Sequence, residues 1–185
     1  MKIVIQDRLN ESERELLAKG LSKHHLKFVR KLSQEDIDDA QIILGNPTPD
    51  LDIKKKHLKL IQLRSAGSDT FVKRIHPDTV LCNASGCYGI PLSEHVLALL
   101  LALSKNIPTY VHQMDQGLWK NLHQGKEIYH SQIAIVGCGD LGTQTAKRLQ
   151  AFDCHITGIK RRKTAALKYF DEIKTIDQLD DVLGD

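Results

Sequence analysis

The stretch SQIAIVGCGDLGTQTAKRLQAFDCHITG, residues 131–158, decides the fold of this chain. Residues 133–136 form a short apolar run with β-branched side chains, which is typical of a strand buried on both faces of a parallel sheet. A glycine turn follows, and the apolar spacing over 143–152 predicts a helix before a second strand over 155–159. Strand, tight turn, helix and strand in this order predict one βαβ unit.

The three glycines of the turn, Gly137, Gly139 and Gly142, have the G-x-G-x-x-G spacing of dinucleotide-binding units. The first permits a sharp turn, the second lets a pyrophosphate approach the backbone, and the third lets the helix pack closely on the strand. The free N–H groups around Asp140 and Leu141 would then point at an anion, which the helix dipole also attracts. The spacing alone also fits a plain structural turn, but its βαβ context favours dinucleotide binding.

The end of the second predicted strand indicates which dinucleotide binds. A unit that binds NAD usually carries an Asp or Glu there, which accepts a hydrogen bond from the ribose 2′-hydroxyl. In this chain Asp153 precedes the strand, and the strand runs out into Lys160, Arg161, Arg162 and Lys163. Guanidinium groups bind phosphate through paired, charge-assisted hydrogen bonds. The basic run therefore favours NADP over NAD, although a solvated basic loop remains the alternative.

Composition limits the kinds of protein that this chain can be. Its 185 residues, 41% of them hydrophobic, can form one large domain or two small ones with packed cores. The net charge of +3 and the few aromatic residues indicate no nucleic-acid surface. The N-terminus lacks the apolar core of a secretory signal, and the longest apolar run, 96–103, is too short to cross a bilayer. We therefore expect a cytoplasmic protein that binds neither nucleic acid nor membrane.

The four cysteines predict neither a metal site nor a disulfide framework. Cys82, Cys87, Cys138 and Cys154 include no C-x-x-C pair and no zinc-like spacing. We expect all four to be reduced, and all but Cys87 to be small side chains in or beside buried strands.

The first part of the chain, residues 1–92, alternates short apolar strands with amphipathic helices. We predict strands over 2–6, 26–29, 40–44, 60–63 and 80–82, helices that begin after Asn10 and Ser33, and a helix over 51–57. Asn10 is followed by Glu13 three residues later, which resembles a capping box. This alternation predicts a flavodoxin-like, doubly wound parallel sheet of the α/β class.

Two turns of this first domain follow predicted strands, at the sheet edge where open α/β sheets bind ligands. One contains Gly45 and Asn46, and the other is 65–69, with the sequence SAGSD. Small residues in the second turn would let backbone N–H groups face a carboxylate. By itself, however, this turn fits a simple connection from strand to helix better.

A second domain, residues 93–185, begins with an apolar helix. We expect this helix over 94–105, opened by Ser93 and followed by Pro108, and its middle is apolar on every side. Such a helix must be covered all round, so a domain or subunit interface is its expected place. His95 is a possible catalytic group, but a lone His in the first turn of a buried helix is more often structural. We interpret 110–129 as a polar connecting segment.

Four local patterns in register resemble the D-2-hydroxyacid dehydrogenases, the family of phosphoglycerate dehydrogenase and the glyoxylate and hydroxypyruvate reductases. They are LIQLRSAGSD at 60–69, PLSEHVLALLLAL at 91–103, QGLWK at 116–120 and IAIVGCGDLG at 133–142. The resemblance implies an NAD(P)-dependent oxidoreductase that transfers hydride between the cofactor and a small 2-hydroxy or 2-oxo acid. It also implies a flavodoxin-like substrate domain followed by a Rossmann dinucleotide-binding domain.

The same resemblance gives roles to particular residues of this chain. The backbone at Ala66 and Gly67 would hold the substrate carboxylate, and the turn from Gly137 to Gly142 would hold the cofactor pyrophosphate. Lys160, Arg161 and Arg162 would select between NAD and NADP, and residues 94–129 correspond to the region through which the family forms dimers. A homodimer is therefore expected.

The resemblance has one large departure. The substrate-binding arginine, the glutamate and the catalytic histidine of the family lie beyond the position of residue 185. We therefore assign no catalytic residue, and expect half a Rossmann domain with an unpaired strand edge at 133–136 and no significant turnover by this chain.

Two other functions remain open. The chain can act as a non-catalytic nucleotide-binding or oligomerising module, which its apolar helix favours. A signalling receiver domain fits the first half only, and would need paired acidic residues after the first strand, where Asp7 stands alone.

Overall fold

The computed structural model describes residues 1–123, 125–162 and 164–184, and it divides into two compact units, Met1–Ser85 and Gly86–Asp185. The division falls before the boundary that we expected between 92 and 93, which lies inside the first long helix of the second unit. Both units are α/β structures with parallel sheets, so the predicted fold class is confirmed.

The first unit is built on a five-stranded parallel sheet with the order β2-β1-β3-β4-β5. Its elements in chain order are β1 (Lys2–Gln6), α1 (Glu11–Gly20), β2 (His25–Val29), α2 (Gln34–Asp39), β3 (Ile42–Leu44), β4 (Leu60–Gln62), α3 (Asp69–Val72) and β5 (Val80–Cys82). The chain moves outward from β1 to β2 and then returns to the other side of β1, which is the flavodoxin-like order. Val4, Ile43 and Ile61 are fully buried at the centre of this sheet.

The predicted helix starts of the first unit are confirmed by capping boxes. The Asn10 side chain accepts a hydrogen bond from the Glu13 N–H, and the Glu13 side chain accepts one from the Asn10 N–H. Ser33 and Asp36 make the same reciprocal pair at the start of α2. Each box satisfies N–H groups that the first helical turn leaves without intrahelical partners.

The predicted helix over 51–57 is wrong. Leu51, Ile53 and Leu58 are all buried, and their spacing does not place all three on one face of a helix. The segment also follows a turn rich in proline, which does not continue into a helix. The segment is an irregular connection held by side chains. The Arg74 guanidinium donates to the carbonyl oxygen of Leu51 at 2.9 Å, and the Gln34 side chain accepts from the N–H of Asp52.

The second unit contains a three-stranded parallel sheet with the order β6-β7-β8. Its elements are α4 (Gly89–Ser104), α5 (Ile107–Asp115), β6 (Gln132–Val136), α6 (Asp140–Leu149), β7 (His155–Lys160), β8 (Glu172–Thr175) and α7 (Leu179–Leu183), with short 3₁₀ turns at Gln150–Phe152 and Ile176–Gln178. The predicted βαβ unit is therefore confirmed as β6, α6 and β7. β6 lies at one edge of the described sheet, as we expected for residues 133–136.

Helix α4 begins five residues earlier than predicted, at Gly89 rather than at Glu94. Pro91 lies in its first turn, where a proline costs no hydrogen bond. Ser93 is therefore not the residue that opens the helix. It is buried inside the helix, and its hydroxyl donates to the carbonyl oxygen of Ile90 at 2.7 Å.

Among the described residues of the second unit, α4 packs along one side, and the interface expected to cover its other faces stays a prediction. Leu97 and Leu100 pack with Leu149 of α6, and Arg148 forms an ion pair with Glu94 at 3.3 Å. The opposite side of the helix is exposed, and it includes His95. An exposed His95 is not the buried structural histidine that we expected.

The predicted connecting segment over 110–129 begins with a helix. α5 covers its first six residues, and Pro108 occupies the first turn of α5 rather than marking the end of α4. Among the described residues no single helix is long and apolar enough to span a membrane. α4 and α5 meet that criterion only as a pair, across a bend of 65°.

Candidate functional site

The glycine turn connects β6 to α6 at the carboxyl edge of the second sheet. Gly137 has a φ of +104°, a conformation that side chains with a Cβ rarely adopt, and it turns the chain sharply after Val136. Gly139 is the N-cap of α6, and its carbonyl oxygen accepts the Thr143 N–H at 2.9 Å. The free N–H groups of the first turn of α6 therefore begin directly after Gly139.

Gly139 and Gly142 differ in what surrounds them. A Cβ at Gly142 would overlap the carbonyl oxygen of Gly137 and lie 3.2 Å from Ile135 Cγ2. A Cβ at Gly139 would meet no atom within 4 Å. Gly142 thus allows the helix to pack against the turn, whereas Gly139 leaves open space in front of the backbone.

Strand pairing brings the basic loop to this turn. The N–H of Gly137 donates to the carbonyl oxygen of Ile159 at 2.9 Å, which extends the pairing of β6 and β7 beyond Val136. Lys160 follows Ile159 as the last residue of β7. The loop that begins after β7 therefore lies beside the glycine turn.

A cavity of about 640 Å³ lies between the glycine turn and the basic loop. It is lined by Val136, Gly137, Cys138, Gly139, Ile159, Lys160, Arg161, Arg162, Thr164 and Ile176. The lining combines two predicted groups of cofactor-binding residues that are more than twenty residues apart in sequence. Lys163, which belongs to the same basic run, lies outside the described residues.

The other predicted cofactor-binding residues lie next to this cavity but do not line it. The Asp140 carboxylate lies against Gly89, at the start of α4. Leu141 and Gly142 line a separate apolar groove of about 370 Å³ along the exposed edge of β6. Of the predicted set, the cavity therefore brings together Gly137, Gly139 and the three cations.

The electrostatics of the cavity favour an anion. Among the described residues, its lining has three cationic side chains and no carboxylate. Cys138 is partly buried, and its thiol lies 3.7 Å from the carbonyl oxygen of Ile159. Burial raises the pKa of this thiol, against a smaller lowering effect of Lys160, so Cys138 stays neutral near pH 7.

Five residues of the lining are not among the predicted site residues: Val136 and Ile159, which belong to the predicted strands, and Cys138, Thr164 and Ile176. Cys138 was interpreted only as a small residue, although it stands inside the G-x-G-x-x-G motif. Thr164 and Ile176 carry no motif of their own. Ile176 reaches the cavity because it follows β8, and β8 pairs with β7.

The second predicted site is the turn after β4 in the first unit, where Ala66 and Gly67 are both exposed. Three successive carbonyl oxygens of this turn accept hydrogen bonds within the unit. Ser65 accepts the Ala84 N–H at 3.0 Å, Ala66 accepts the Asn83 side-chain amide at 2.8 Å, and Gly67 accepts the Ser65 hydroxyl at 3.0 Å.

Asn46 connects this turn to the turn after β3. Its side-chain oxygen accepts the N–H of Arg64 at 2.8 Å, and its side-chain amide donates to the Ser65 hydroxyl at 3.1 Å. The two turns that we singled out in the first domain are therefore joined at the carboxyl edge of the sheet. Among the described residues, neither the Ala66 N–H nor the Gly67 N–H donates to an acceptor of the protein.

Comparison with known proteins covers nearly the whole chain. Residues 97–185 match the family described as the NAD binding domain of D-isomer specific 2-hydroxyacid dehydrogenases. The D-3-phosphoglycerate dehydrogenase of Methanocaldococcus jannaschii is 28% identical over 173 residues, which cover 85% of this chain and 32% of that protein. A glyoxylate/hydroxypyruvate reductase of Arabidopsis thaliana is 26% identical over 109 residues, which cover 56% of this chain and 34% of that protein.

A solved structure shows the same architecture. The D-isomer specific 2-hydroxyacid dehydrogenase family protein from Aeromonas salmonicida is 26% identical and has a TM-score of 0.83. The match covers 98% of this chain and 60% of that chain. This chain therefore spans about a third of the length of the two curated relatives, and 60% of the length of the chain in the solved structure.

The packing of α6 on the glycine turn gives a testable prediction. We expect Gly142→Ala to destabilise the second unit by at least about 2 kcal/mol, because its methyl group would collide with backbone that cannot move aside. The free energy of unfolding is measured by urea denaturation followed by circular dichroism. Gly20→Ala is the control, because Gly20 also lies in a helix but a Cβ there meets no atom within 4 Å. Equal unfolding free energies of the two variants would contradict the role of Gly142.

Proposed function

We propose that this chain is a member of the D-isomer-specific 2-hydroxyacid dehydrogenase family, and that it binds NADP(H) and supplies the cofactor-binding part of an oxidoreductase acting on 2-hydroxy or 2-oxo acids. The observation that carries this proposal is the cavity in which the glycine turn and the basic loop meet. The relatives are longer than this chain, so the proposed activity is that of the complete enzymes.

The residues of the cavity fit such a cofactor. The open space in front of Gly139 suits a pyrophosphate, and the N–H groups at the start of α6, which lie next to the cavity, add attraction together with the dipole of this ten-residue helix. When bound, the cofactor would supply the hydride chemistry, while the chain supplies binding and orientation. Cys138 faces the cavity as a neutral thiol, so it adds no negative charge there.

The preference for NADP rests on the residues that follow β7. An NAD-binding unit places a carboxylate at this point, whereas this chain places Lys160, Arg161 and Arg162 there. Both arginines are exposed, so their side chains are free to meet a 2′-phosphate without breaking a packed contact. Paired guanidinium–phosphate hydrogen bonds then give the additional binding energy of NADP.

We predict that NADPH binds at least about tenfold more tightly than NADH, a difference of about 1.4 kcal/mol. The double variant Arg161→Gln/Arg162→Gln removes this preference, because it weakens NADPH binding and leaves NADH binding almost unchanged. The measurement is an equilibrium titration with each cofactor that follows nicotinamide fluorescence.

The matched control is Lys54→Gln/Lys56→Gln, which removes the same charge from two exposed positions in the first unit. This control separates a specific loss from a general effect of net charge. Equal affinities of the unsubstituted chain for NADPH and NADH would refute the preference. Failure of both cofactors to bind would refute the cavity as the cofactor site.

The substrate part of the proposal concerns the turn at Ala66 and Gly67. We infer that their N–H groups bind the carboxylate of the 2-hydroxy or 2-oxo acid, because the carbonyl groups of this turn are held by Asn83, Ala84 and Ser65. A carboxylate bound this way accepts two charge-assisted hydrogen bonds from the backbone. This arrangement recognises the acid group common to the substrate class and leaves the rest of the substrate unspecified.

Nuclear magnetic resonance tests this assignment. On addition of glyoxylate, the amide signals of Ala66 and Gly67 should shift in a saturable manner, and acetamide, which has no carboxylate, should leave them unchanged. Asn83→Ala should weaken glyoxylate binding several-fold, because it frees the carbonyl oxygen of Ala66 and loosens the turn. Saturable shifts confined to other parts of the chain would refute the assignment.

A dimer of this chain is favoured by a specific observation. The outer side of α4 carries a stripe of exposed apolar side chains, Leu92, Val96, Leu99 and Leu103, whose exposed fractions are 46%, 36%, 51% and 70%. Met114 of α5 and Trp119 after it are also exposed. We propose that a second copy of the chain covers this surface, which also serves the alternative function as an oligomerising module.

We predict a dimer in light scattering coupled to size-exclusion chromatography. Leu99→Lys/Leu103→Lys should shift it to a monomer, because two charges at the centre of an apolar interface would lose their hydration. Leu16→Lys/Val72→Lys is the control, since those exposed side chains lie in the first unit. A monomeric unsubstituted chain, or a dimer that survives the Leu99 and Leu103 changes, would contradict the proposal.

A further inference from the structure

A second cationic cavity lies in the first unit, at the carboxyl ends of β1 and β2. It has a volume of about 440 Å³ and is lined by Asp7, Arg8, Leu9, Arg14 and Arg30. We propose that it binds the phosphate group of a small soluble phosphomonoester. This site is distinct from the dinucleotide cavity and from the turn at Ala66 and Gly67, and it does not depend on either of them.

The fold brings these arginines together from three elements. The N–H of Asp7 donates to the carbonyl oxygen of Val29 at 3.0 Å, so β1 and β2 remain paired beyond the last residue of β1. Arg8 follows Asp7 and Arg30 follows Val29, so both arginines come directly after the two residues that this hydrogen bond joins. Arg14 comes from the first turns of α1 and reaches back to the same edge of the sheet.

Arg14 is held rigidly at the cavity. Its Nε donates to Asp7 Oδ2 at 3.0 Å and its Nη2 to Asp7 Oδ1 at 2.9 Å, which is the bidentate geometry of a strong guanidinium–carboxylate pair. Asp7 is almost wholly buried, with 3% of its surface exposed, while the Arg14 side chain remains 44% exposed. The guanidinium carbon also lies 5.4 Å from the centre of the Phe28 ring. An anion would thus meet an already ordered guanidinium, which lowers the entropy lost on binding.

The charges at the cavity do not balance. Its three guanidinium groups face one carboxylate, and both oxygens of that carboxylate are bound to Arg14. Among residues 1–123, 125–162 and 164–184, no carboxylate lies within 4.0 Å of the guanidinium nitrogens of Arg8 or Arg30. Apart from Asp7, the acids nearest to Arg8 in sequence are Glu11 and Glu13 of α1, where the Glu13 carboxylate accepts the Asn10 N–H, and the acid nearest to Arg30 is Glu35 of α2. The cavity therefore has an excess of about two positive charges, which matches a phosphate dianion.

Phosphate suits this arrangement better than a carboxylate does. A phosphate group offers three acceptor oxygens and a charge of nearly two at neutral pH, so several guanidinium groups can bind it at once. The cavity is larger than inorganic phosphate requires, which leaves room for a small organic group beside it. The cavity lies at the carboxyl edge of a parallel sheet, where open α/β folds bind ligands, next to β1 on the side of β2 rather than at the switch point between β1 and β3.

The test is a titration with inorganic phosphate and then with glycerol 3-phosphate, observed through the Nε signals of the arginines in nitrogen-15 spectra. The chain carries Arg161→Gln/Arg162→Gln, so that the basic loop of the second unit does not compete. We expect saturable shifts for Arg8, Arg14 and Arg30, and glycerol 3-phosphate should bind at least as tightly as inorganic phosphate.

In the same background, Arg8→Gln/Arg30→Gln should raise the dissociation constant for phosphate at least tenfold. Both side chains are exposed, so these changes leave the core intact, which circular dichroism verifies. Arg14 is left in place, because its removal would leave Asp7 buried without its partner. Lys19→Gln/Lys23→Gln is the matched control, since it removes two exposed cations from the far end of α1 and beyond.

Three outcomes would overturn the proposal. Phosphate affinity that is unchanged by Arg8→Gln/Arg30→Gln would exclude this cavity. An equal loss in the Lys19 and Lys23 variant would show a general effect of net charge. Binding to phosphatidic acid vesicles without binding to glycerol 3-phosphate would assign the cavity to a lipid headgroup rather than to a soluble ligand.

Discussion

The structure depends on parallel strand pairing that continues past the ends of the strands. Asp7 after β1, Gly45 after β3, Leu63 after β4 and Gly137 after β6 each donate a backbone hydrogen bond to the neighbouring strand, at 2.8 to 3.0 Å. These four bonds hold the first residue of each loop beside the next strand. In a parallel sheet all such loops begin at the same edge, so backbone pairing alone brings the polar turns of the chain together there. Every site discussed above lies at an edge of this kind.

The same geometry explains why the turns of the two sheets offer different chemical groups at their carboxyl edges. In the first sheet, Asn46 joins two neighbouring turns through its side chain, and the small residues of the second turn leave their N–H groups available. In the second sheet Gly137, in its left-handed conformation, turns the chain, and the N-terminus of α6 presents the N–H groups. The cations lie at the end of the adjacent strand β7 and after it. In both sites that we propose, backbone N–H groups would bind an anion, and the side chains around them would select its size and charge.

Much of this architecture follows from local sequence patterns. Three local patterns each reflect one short-range physical requirement: the apolar run at 133–136, the glycine spacing and the two capping boxes. The structure satisfies each of these requirements. Local patterns do not predict the secondary structure correctly where the burial of a segment depends on residues distant in sequence. A helix was expected over 51–57, but Arg74 binds the carbonyl oxygen of Leu51 and the core takes up Leu51 and Ile53, contacts that no short stretch of sequence contains.

The site shows the same division between local and distant information. The meeting of the glycine turn with Lys160 and Arg161 was foreseeable, because β6 and β7 are consecutive strands of one βαβ unit. Ile176 was not foreseeable, since it enters the cavity only through the pairing of β8 with β7. The arginine cavity of the first unit was missed for a similar reason. Asp7 has no acidic neighbour in sequence that would indicate a metal site, and its actual partner, Arg14, lies on the following helix.

The apolar residues of helix α4 form two different surfaces, one packed on the core of the second unit and one exposed. Its apolar residues point in every direction, and this predicted a helix covered all round. Leu97 and Leu100 pack on the core of the second unit, whereas Leu99 and Leu103 point away from it and remain exposed. A helix of this composition gains nothing in a single unit from its outer stripe, because apolar area left in water contributes no burial energy. The outer stripe is the surface that we propose a second copy of the chain covers, because a copy of the same stripe is a partner that every solution of this chain contains.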